Sequence, residues 1–507
     1  MTGVEPASLT TIDYYPVITH AITDYKTVQE CLRYAEEATR EVNQEYVVTT
    51  FDLGVCMKAY PLIWNQPERY EKHIVLIGTF HLICAYLKMV GKKMEGSGLS
   101  DILLEAGLIA SGSLQGVLSG KHYDRAMHCH KILLECLERL LLEQYMAKQE
   151  EQELFSSLPA ESVKKVEDVV ESTTATTLEA ALADDAISNY IEGYIQYRTE
   201  VTEGSHGKTG QLWASYMNHV WLVLTLVQAV KRNDFLAYAH CLHVMGDLFF
   251  AFGGQNYARY LTYFSTFLAN IEESHPGATD LIKRGAMSVA RSFIPGNRCA
   301  VDKTMEETFM RHAKSHGGAG GGGIGVSGIL SNHDTYQRWV RTTHARSQYV
   351  NATLNMADML TDNQSGNIHR DARPAEILKS EKCVKKAQEA VESFINPFMV
   401  EDHDKLISLS SGAAAIADIA SDFLRAEAAG KEAKEAFIRD RLEKNDNFFE
   451  PINRLNLKTL GNMNKQLKVT TANNKVVQYK QQGNIAFQLF VKSQSQGLQL
   501  DLSLIHI

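Results

Sequence analysis

Proline is scarce, with 10 in 507 residues, which leaves long stretches open to helix. The 8 cysteines, at positions 31, 56, 84, 129, 136, 241, 299 and 383, form no CxxC pair, so the pattern excludes a zinc ribbon, a dithiol redox motif and a disulfide-stapled scaffold. Several lie on apolar faces and read as reduced thiols in the core of an intracellular protein. No apolar run reaches the length of a membrane span, and the opening MTGVEPASLTT lacks the charged-then-apolar order of a signal peptide. Positive charge is in deficit: the net charge of −9 excludes a surface coated in basic residues and leaves room for a local basic groove. There is no GxSxG elbow. The glycines of Gly317–Gly323 are followed by no Lys-Ser/Thr and preceded by no strand, so they read as a flexible lid or connector rather than a phosphate loop.

The length predicts two or three domains, and 45% hydrophobic with 22% charged residues is ordinary globular composition. The most informative stretch is 46–93. Tyr46–Phe51 and His73–Ile77 are short apolar runs rich in β-branched residues, and each reads as a buried strand. The span between them fits a crossover helix, and Gly78 leads into another helix carrying His81. A strand–helix–strand–helix unit of this kind predicts parallel strands. Chemistry in such sheets sits at the carboxyl ends of strands, where Asp52 and His81 both fall.

In chain order, Thr27–Asn43 has the spacing of an amphipathic helix. Glycines 96 and 98 break the helix that follows Gly78, Leu99–Leu108 is a short helix, and the segment from Ser111 to about His122, with glycines at 112, 116 and 120, reads as a loop before a helix from Tyr123 to Ala147. Residues 150–205 hold 13 acids against 3 basic residues, and their early part reads as a solvated linker. Gln211–Ile271 is dense in aromatics at helical spacing, broken at Arg232–Asn233 and Gly253–Gly254, and reads as a three-helix bundle. A short strand is expected near Met287–Phe293, then a helix in VDKTMEETFMRHAK, and long helices over Asp334–Asp362, Pro374–Phe398 and Asp402–Asn445. Lys465–Lys480 alternates around Asn473–Asn474 as a hairpin does. Residues 451–500 contain seven Lys/Arg and no acid, with Arg454, Lys458, Lys465 and Lys468 as candidate nucleic-acid contacts. The tail Leu502–Ile507 matches one reading frame of a sequencing adaptor and reads as foreign to the protein.

Three places could carry chemistry, and each has a plainer alternative. Asp52 ends a buried strand and suits a metal; the alternative is a cap for the following helix. His81 suits a carboxylate or phosphate contact; the alternative is a core polar contact. Asp302 and Glu306, four apart, share one helix face and could complete a two-metal site with a strand-end acid; the alternative is acids in a first turn, favoured by the helix dipole. His122, His128, Cys129 and His130 tempt a zinc reading, but His128 and His130 point to different sides of a helix, which is poor ligand geometry. Cys241 with His240 and His243 is weaker still.

VVTTFDLGV, VLIGTFHLICAYL, GSLQGVLSGKHYDRA, GGQNYARYLTYF, VDKTMEETFMR and YQRWVRTTHARS, taken in this order over residues 12–495, resemble a transposon-associated animal family with a ribonuclease H-like core. The wider resemblance is to Mutator-like cut-and-paste transposases. It implies a helix-rich α/β fold, a small ribonuclease H-like sheet core split by a large all-helical insertion, with a mostly helical C-terminal region. In that frame 1–150 is the first part of the core, 151–205 an acidic linker, 206–290 the insertion, 291–365 the completion of the core and 366–507 the helical, basic C-terminal region. The resemblance makes Asp52 the second catalytic acid, Gly78 and His81 the supporting GTFH motif, and Glu306 the final acid with Asp302 beside it. Asp52 and Glu306 would be metal ligands holding Mg²⁺ for attack on phosphate. DNA is the implied partner, with a homo-oligomer possible, no membrane, and a nuclear location. The first acid of such a core lies upstream of Asp52, where only Asp13 and Asp24 stand and neither follows a strand. That departure predicts a truncated N-terminus or an incomplete site. The alternative is therefore a catalytically dead, domesticated nucleic-acid-binding or protein-interaction scaffold.

Overall fold

A computed structural model describes residues 9–15, 18, 20–151, 159–171, 175–290, 296–310, 332–342, 344–349, 352, 374–444, 446–463, 466–470 and 476–480. The glycine segment 317–323, Lys465 and the tail 502–507 lie outside them. The protein is helix-rich α/β, and among the described residues every sheet has two strands.

Helix α1 (Tyr25–Glu41) starts at Asp24, whose carboxylate accepts from the Lys26 N–H at 3.0 Å. Strand β1 (Val47–Phe51), helix α2 (Leu53–Asn65), strand β2 (His73–Ile77) and helix α3 (Thr79–Lys93) follow. The strands are parallel, with Val47 opposite His73 and Phe51 opposite Ile77, as the crossover length requires. All five residues of β2 are buried, which is why Ile74–Ile77 is a continuous apolar run rather than an alternating one.

Helices α4 (Leu99–Glu105), α5 (Ser111–Leu118) and α6 (Tyr123–Glu151) come next. The expected loop from Ser111 is thus largely helical. Two of its glycines serve close packing: a Cβ on Gly116 would lie 2.5 Å from the His122 ring, and one on Gly120, where φ is +70°, 2.0 Å from the Cys84 carbonyl, whereas one on Gly112 would meet nothing.

The stretch expected to open as a solvated linker holds α7 (Ala160–Glu171), α8 (Ala175–Leu182) and α9 (Asp185–Thr202). Most of its acids face water, while Asp184 caps α9 and pairs with Lys165 at 2.7 Å. Tyr190, Tyr194 and Tyr197 share one face of α9 and surround Tyr145 of α6 at centroid distances of 5.4, 5.8 and 5.5 Å. Tyr194 also donates to Glu138 at 2.6 Å.

The aromatic bundle is α10 (Lys208–Arg232), α11 (Phe235–Phe252) and α12 (Gln255–Ala269). Asn233 and Gly253 end the first two in left-handed conformations, so both expected breaks hold. Helix α11 is long and apolar enough by composition to cross a membrane, with mean hydropathy 1.4, yet it is mostly buried within the protein. It forms the spine of the core.

The short α13 (Ile271–Ser274) and α14 (Ala278–Leu281) lead to β3 (Ser288–Ala290). That strand pairs antiparallel with β4 (Arg298–Ala300) and runs directly into α15 (Val301–Met305), which continues as a π-helical turn, Glu306–Met310. Helix α16 (His333–Arg341) opens the expected long helix, whose end lies outside the described residues. Helix α17 (Pro374–Ser393) follows. The helix expected from Asp402 begins only at α18 (Ala417–Leu424), followed by α19 (Ala426–Phe437). Residues 402–416 are irregular and pinned by tertiary contacts, with the Leu409 N–H donating to the Ser97 carbonyl at 2.9 Å. Strands β5 (Gln466–Thr470) and β6 (Val476–Lys480) form the expected antiparallel hairpin. One hydrophobic core runs from Val28 in α1 to Leu460 beyond α19, through the parallel unit, the bundle and α17.

Candidate active site

Asp52 ends β1 in an extended conformation, and its backbone carbonyl accepts from Val55 and Cys56 to start α2. The side chain makes no capping bond. It turns instead to His81 in the first turn of α3, where its carboxylate lies 2.9 Å from Nδ1. The helix-cap alternative is therefore met by the backbone alone.

Asp302 arrives from 221 residues further along the chain, in the first turn of α15, which packs against α3. Its carboxylate accepts from the backbone N–H groups of Phe80 at 3.1 Å and His81 at 3.0 Å, and lies 3.1 Å from His81 Nδ1. It thus sits on the positive N-terminal end of α3. The fit requires Gly78: a Cβ there would stand 2.6 Å from Asp302 Oδ2. The Gly78 N–H donates to the Phe51 carbonyl at 2.8 Å, which ties the glycine to the end of β1.

Asp52, His81 and Asp302 each offer one ligand atom within 4.8 Å of the others. Asp302 is buried, His81 partly buried and Asp52 exposed, so the group opens to solvent on the Asp52 side. Hydrogen bonds to Asp302, then to Asp52, outweigh desolvation and hold the imidazole pKa at about 10. Without a metal, an imidazolium bridges the two carboxylates. Around them, burial and then the nearby charges of Asp52 and Asp302 push the Tyr257 phenol up. Tyr238 contacts Thr79 Oγ1 at 3.3 Å and backs the first turn of α3.

Of the residues singled out from sequence, Asp52, Gly78, His81 and Asp302 come together. Glu306 lies one turn beyond Asp302 and is not in the group that meets within 4.8 Å. Lys303, between them, pairs with Glu307 at 3.5 Å and Asp124 at 3.7 Å. Asp24 caps α1, and Asp13 is exposed outside any strand. His130 faces Tyr216 OH at 2.7 Å, and burial drives its pKa down to about 4. Arg454 and Lys458 are exposed on an irregular segment, Lys458 paired with Asp418 at 3.3 Å, and Lys468 lies in β5. Tyr257, whose phenol feels the charges of Asp52 and Asp302, has no signal in GGQNYARYLTYF beyond aromatic helical spacing.

No curated protein and no solved structure matches the chain. A family profile described as a domain of unknown function, DUF8702, matches residues 1–500, and the chain belongs to that family.

Proposed function

We propose that this is a transposase-derived, ribonuclease H-like protein in which Asp52, Asp302 and His81 hold a divalent cation, Mg²⁺, for cleavage or strand transfer at a DNA phosphodiester. The carrying observation is the meeting of Asp52 and Asp302 on His81, at the carboxyl end of a parallel strand pair and the start of α3. Two carboxylates suit a hard cation such as Mg²⁺ or Mn²⁺, and the imidazole adds a donor that Mn²⁺ accepts more readily. A bound ion would supply Lewis acidity toward phosphate and a more acidic water.

The protein's residues have separable roles in this reading. Asp302 is fixed by two backbone N–H groups, so its position costs little reorganisation. Asp52 faces solvent and meets the substrate side. His81 would have to give up its bridging proton to serve as a ligand to such an ion. The fold reading that accompanies this treats β1 and β2 as part of a ribonuclease H-like core, α10–α12 as its insertion and Glu306 as a further acid. DNA is then the partner, the nucleus the compartment, and a homo-oligomer the working form.

A second reading is an inert scaffold. It draws on Asp302 having three of its roughly four acceptor positions occupied by α3 and His81, as a tertiary helix cap would. Nicking of supercoiled DNA in Mg²⁺ or Mn²⁺ separates the two. The catalytic reading expects nicking by the wild type, its loss in Asp52→Ala and Asp302→Asn, and calorimetric metal binding that these changes abolish. Absence of both nicking and metal binding, with Asp302→Ala destabilising the fold by about 1–2 kcal/mol, would establish the scaffold reading.

A further inference from the structure

One face of α3 leads away from the Asp52–His81–Asp302 group, and its charge changes sign along the way. Lys88 and Lys92 stand 7 and 11 residues after His81, so at 100° per residue each lies within about 20° of His81, on opposite sides of it, and the three span about 40° of one face. Along the axis they lie about 10 and 16 Å from His81, and about 6 Å from each other. Both lysines are exposed.

Arg454 joins them from the C-terminal region. Its irregular segment is anchored at one end by Gln255, whose side chain donates to the Ile452 carbonyl at 2.9 Å. At the other end the Gly461 N–H donates to the Glu95 carbonyl at 2.7 Å. Arg454 is exposed. Lys92 is held in place by donation to the Phe252 carbonyl at 2.6 Å. Although the residue as a whole is exposed, its ammonium is partly desolvated at that carbonyl, which depresses its pKa first, followed by repulsion from Arg454 and Lys88, with Glu95 opposing. Lys88 and Lys92 share this face of α3, and the two anchors carry Arg454's segment past its last turn, with Glu95 beside it. Lys458, nearby in sequence, is by contrast paired with Asp418.

We propose that Lys88, Lys92 and Arg454 form a phosphate track for one strand of a nucleic acid whose reacting phosphate lies at Asp52, His81 and Asp302; this register rests on the phosphodiester reading above. Long lysine stems on a rigid helix neutralise successive backbone phosphates and release their counterions, so the contribution is sequence-independent and falls with salt.

The test is fluorescence anisotropy of the full chain with a labelled mixed-sequence DNA duplex, from about 50 to 200 mM salt. Wild type should bind with a steep salt dependence. Lys88→Gln/Lys92→Gln/Arg454→Gln should lower the slope of log K against log salt by about 2–3, at roughly 0.9 per phosphate contact. Charge-keeping Lys88→Arg/Lys92→Arg/Arg454→Lys should retain it. Lys382→Gln/Lys385→Gln/Lys386→Gln, on exposed positions of α17, should leave it unchanged. The track is overturned by an unchanged slope in the first variant, by an equal loss in the α17 variant, or by no duplex binding at all. Equal competition by polyglutamate would overturn it in favour of an acidic protein partner. Metal calorimetry on the same preparations separates the two ideas: track-dependent duplex binding without Mg²⁺ or Mn²⁺ uptake defeats the phosphodiester reading alone.

Discussion

His81 is the residue on which the candidate site turns. Its imidazole has one nitrogen directed between two carboxylates that reach it from different parts of the chain. With the folded-state pKa at about 10 against an ordinary 6.5, protonation favours the folded state. The stabilisation is complete below about pH 6.5 and is lost progressively as pH rises through about 10. In metal-free protein, the His81 ring resonances followed by NMR should titrate well above pH 7, and Asp302→Asn should bring the midpoint down toward 6.5. A wild-type midpoint at or below 6.5 would show that the bridge does not form in solution. Gly78 matters at the same scale, because the absence of its Cβ is what lets the Asp302 carboxylate sit on the end of α3.

Among the elements, α3 does most to join the parts. Its first turn receives Asp302, its middle packs on α11, and its last turn carries Lys93, a lysine only 2% exposed. The Lys93 ammonium bonds Glu427 of α19, Ser215 of α10 and, at 3.0 Å, His219 Nε2. His219 Nδ1 in turn meets Tyr86 OH at 2.7 Å. Desolvation works against the Glu427 carboxylate, but Lys93 and His219 overcome it and hold its pKa low. Removing one partner of such a pair leaves an uncompensated charge at the edge of the core. Glu427→Gln should therefore destabilise by about 2–3 kcal/mol in urea unfolding, whereas Lys93→Met with Glu427→Leu should restore most of it. A Glu427→Gln loss within about 0.5 kcal/mol would mean that solvent already screens the pair.

At the scale of the molecule, the continuous core means that the candidate site and the bundle share their stability. Trp213, fully buried in α10, reports on the bundle, and the His81 resonances report on the parallel unit. Their urea midpoints should coincide; separated midpoints would show that the two fold as independent units. The sequence by itself determined the local pieces. Strands β1 and β2, their parallel pairing, the bundle breaks at Asn233 and Gly253 and the β5–β6 hairpin follow from periodicity, span length and turn chemistry, which are properties of neighbouring residues. Where glycines served packing, as at Gly116 and Gly120, or where a tyrosine face was hidden among acids, as in α9, local reading misjudged the element. Tertiary structure alone decided the partner of Asp52. Asp302 and Glu306 lie on the same stretch of chain and offer the same chemistry, so neighbours cannot rank them. The choice falls to Asp302 because α15 packs its first turn against the open N–H groups of α3, beside a glycine with no side chain to block it.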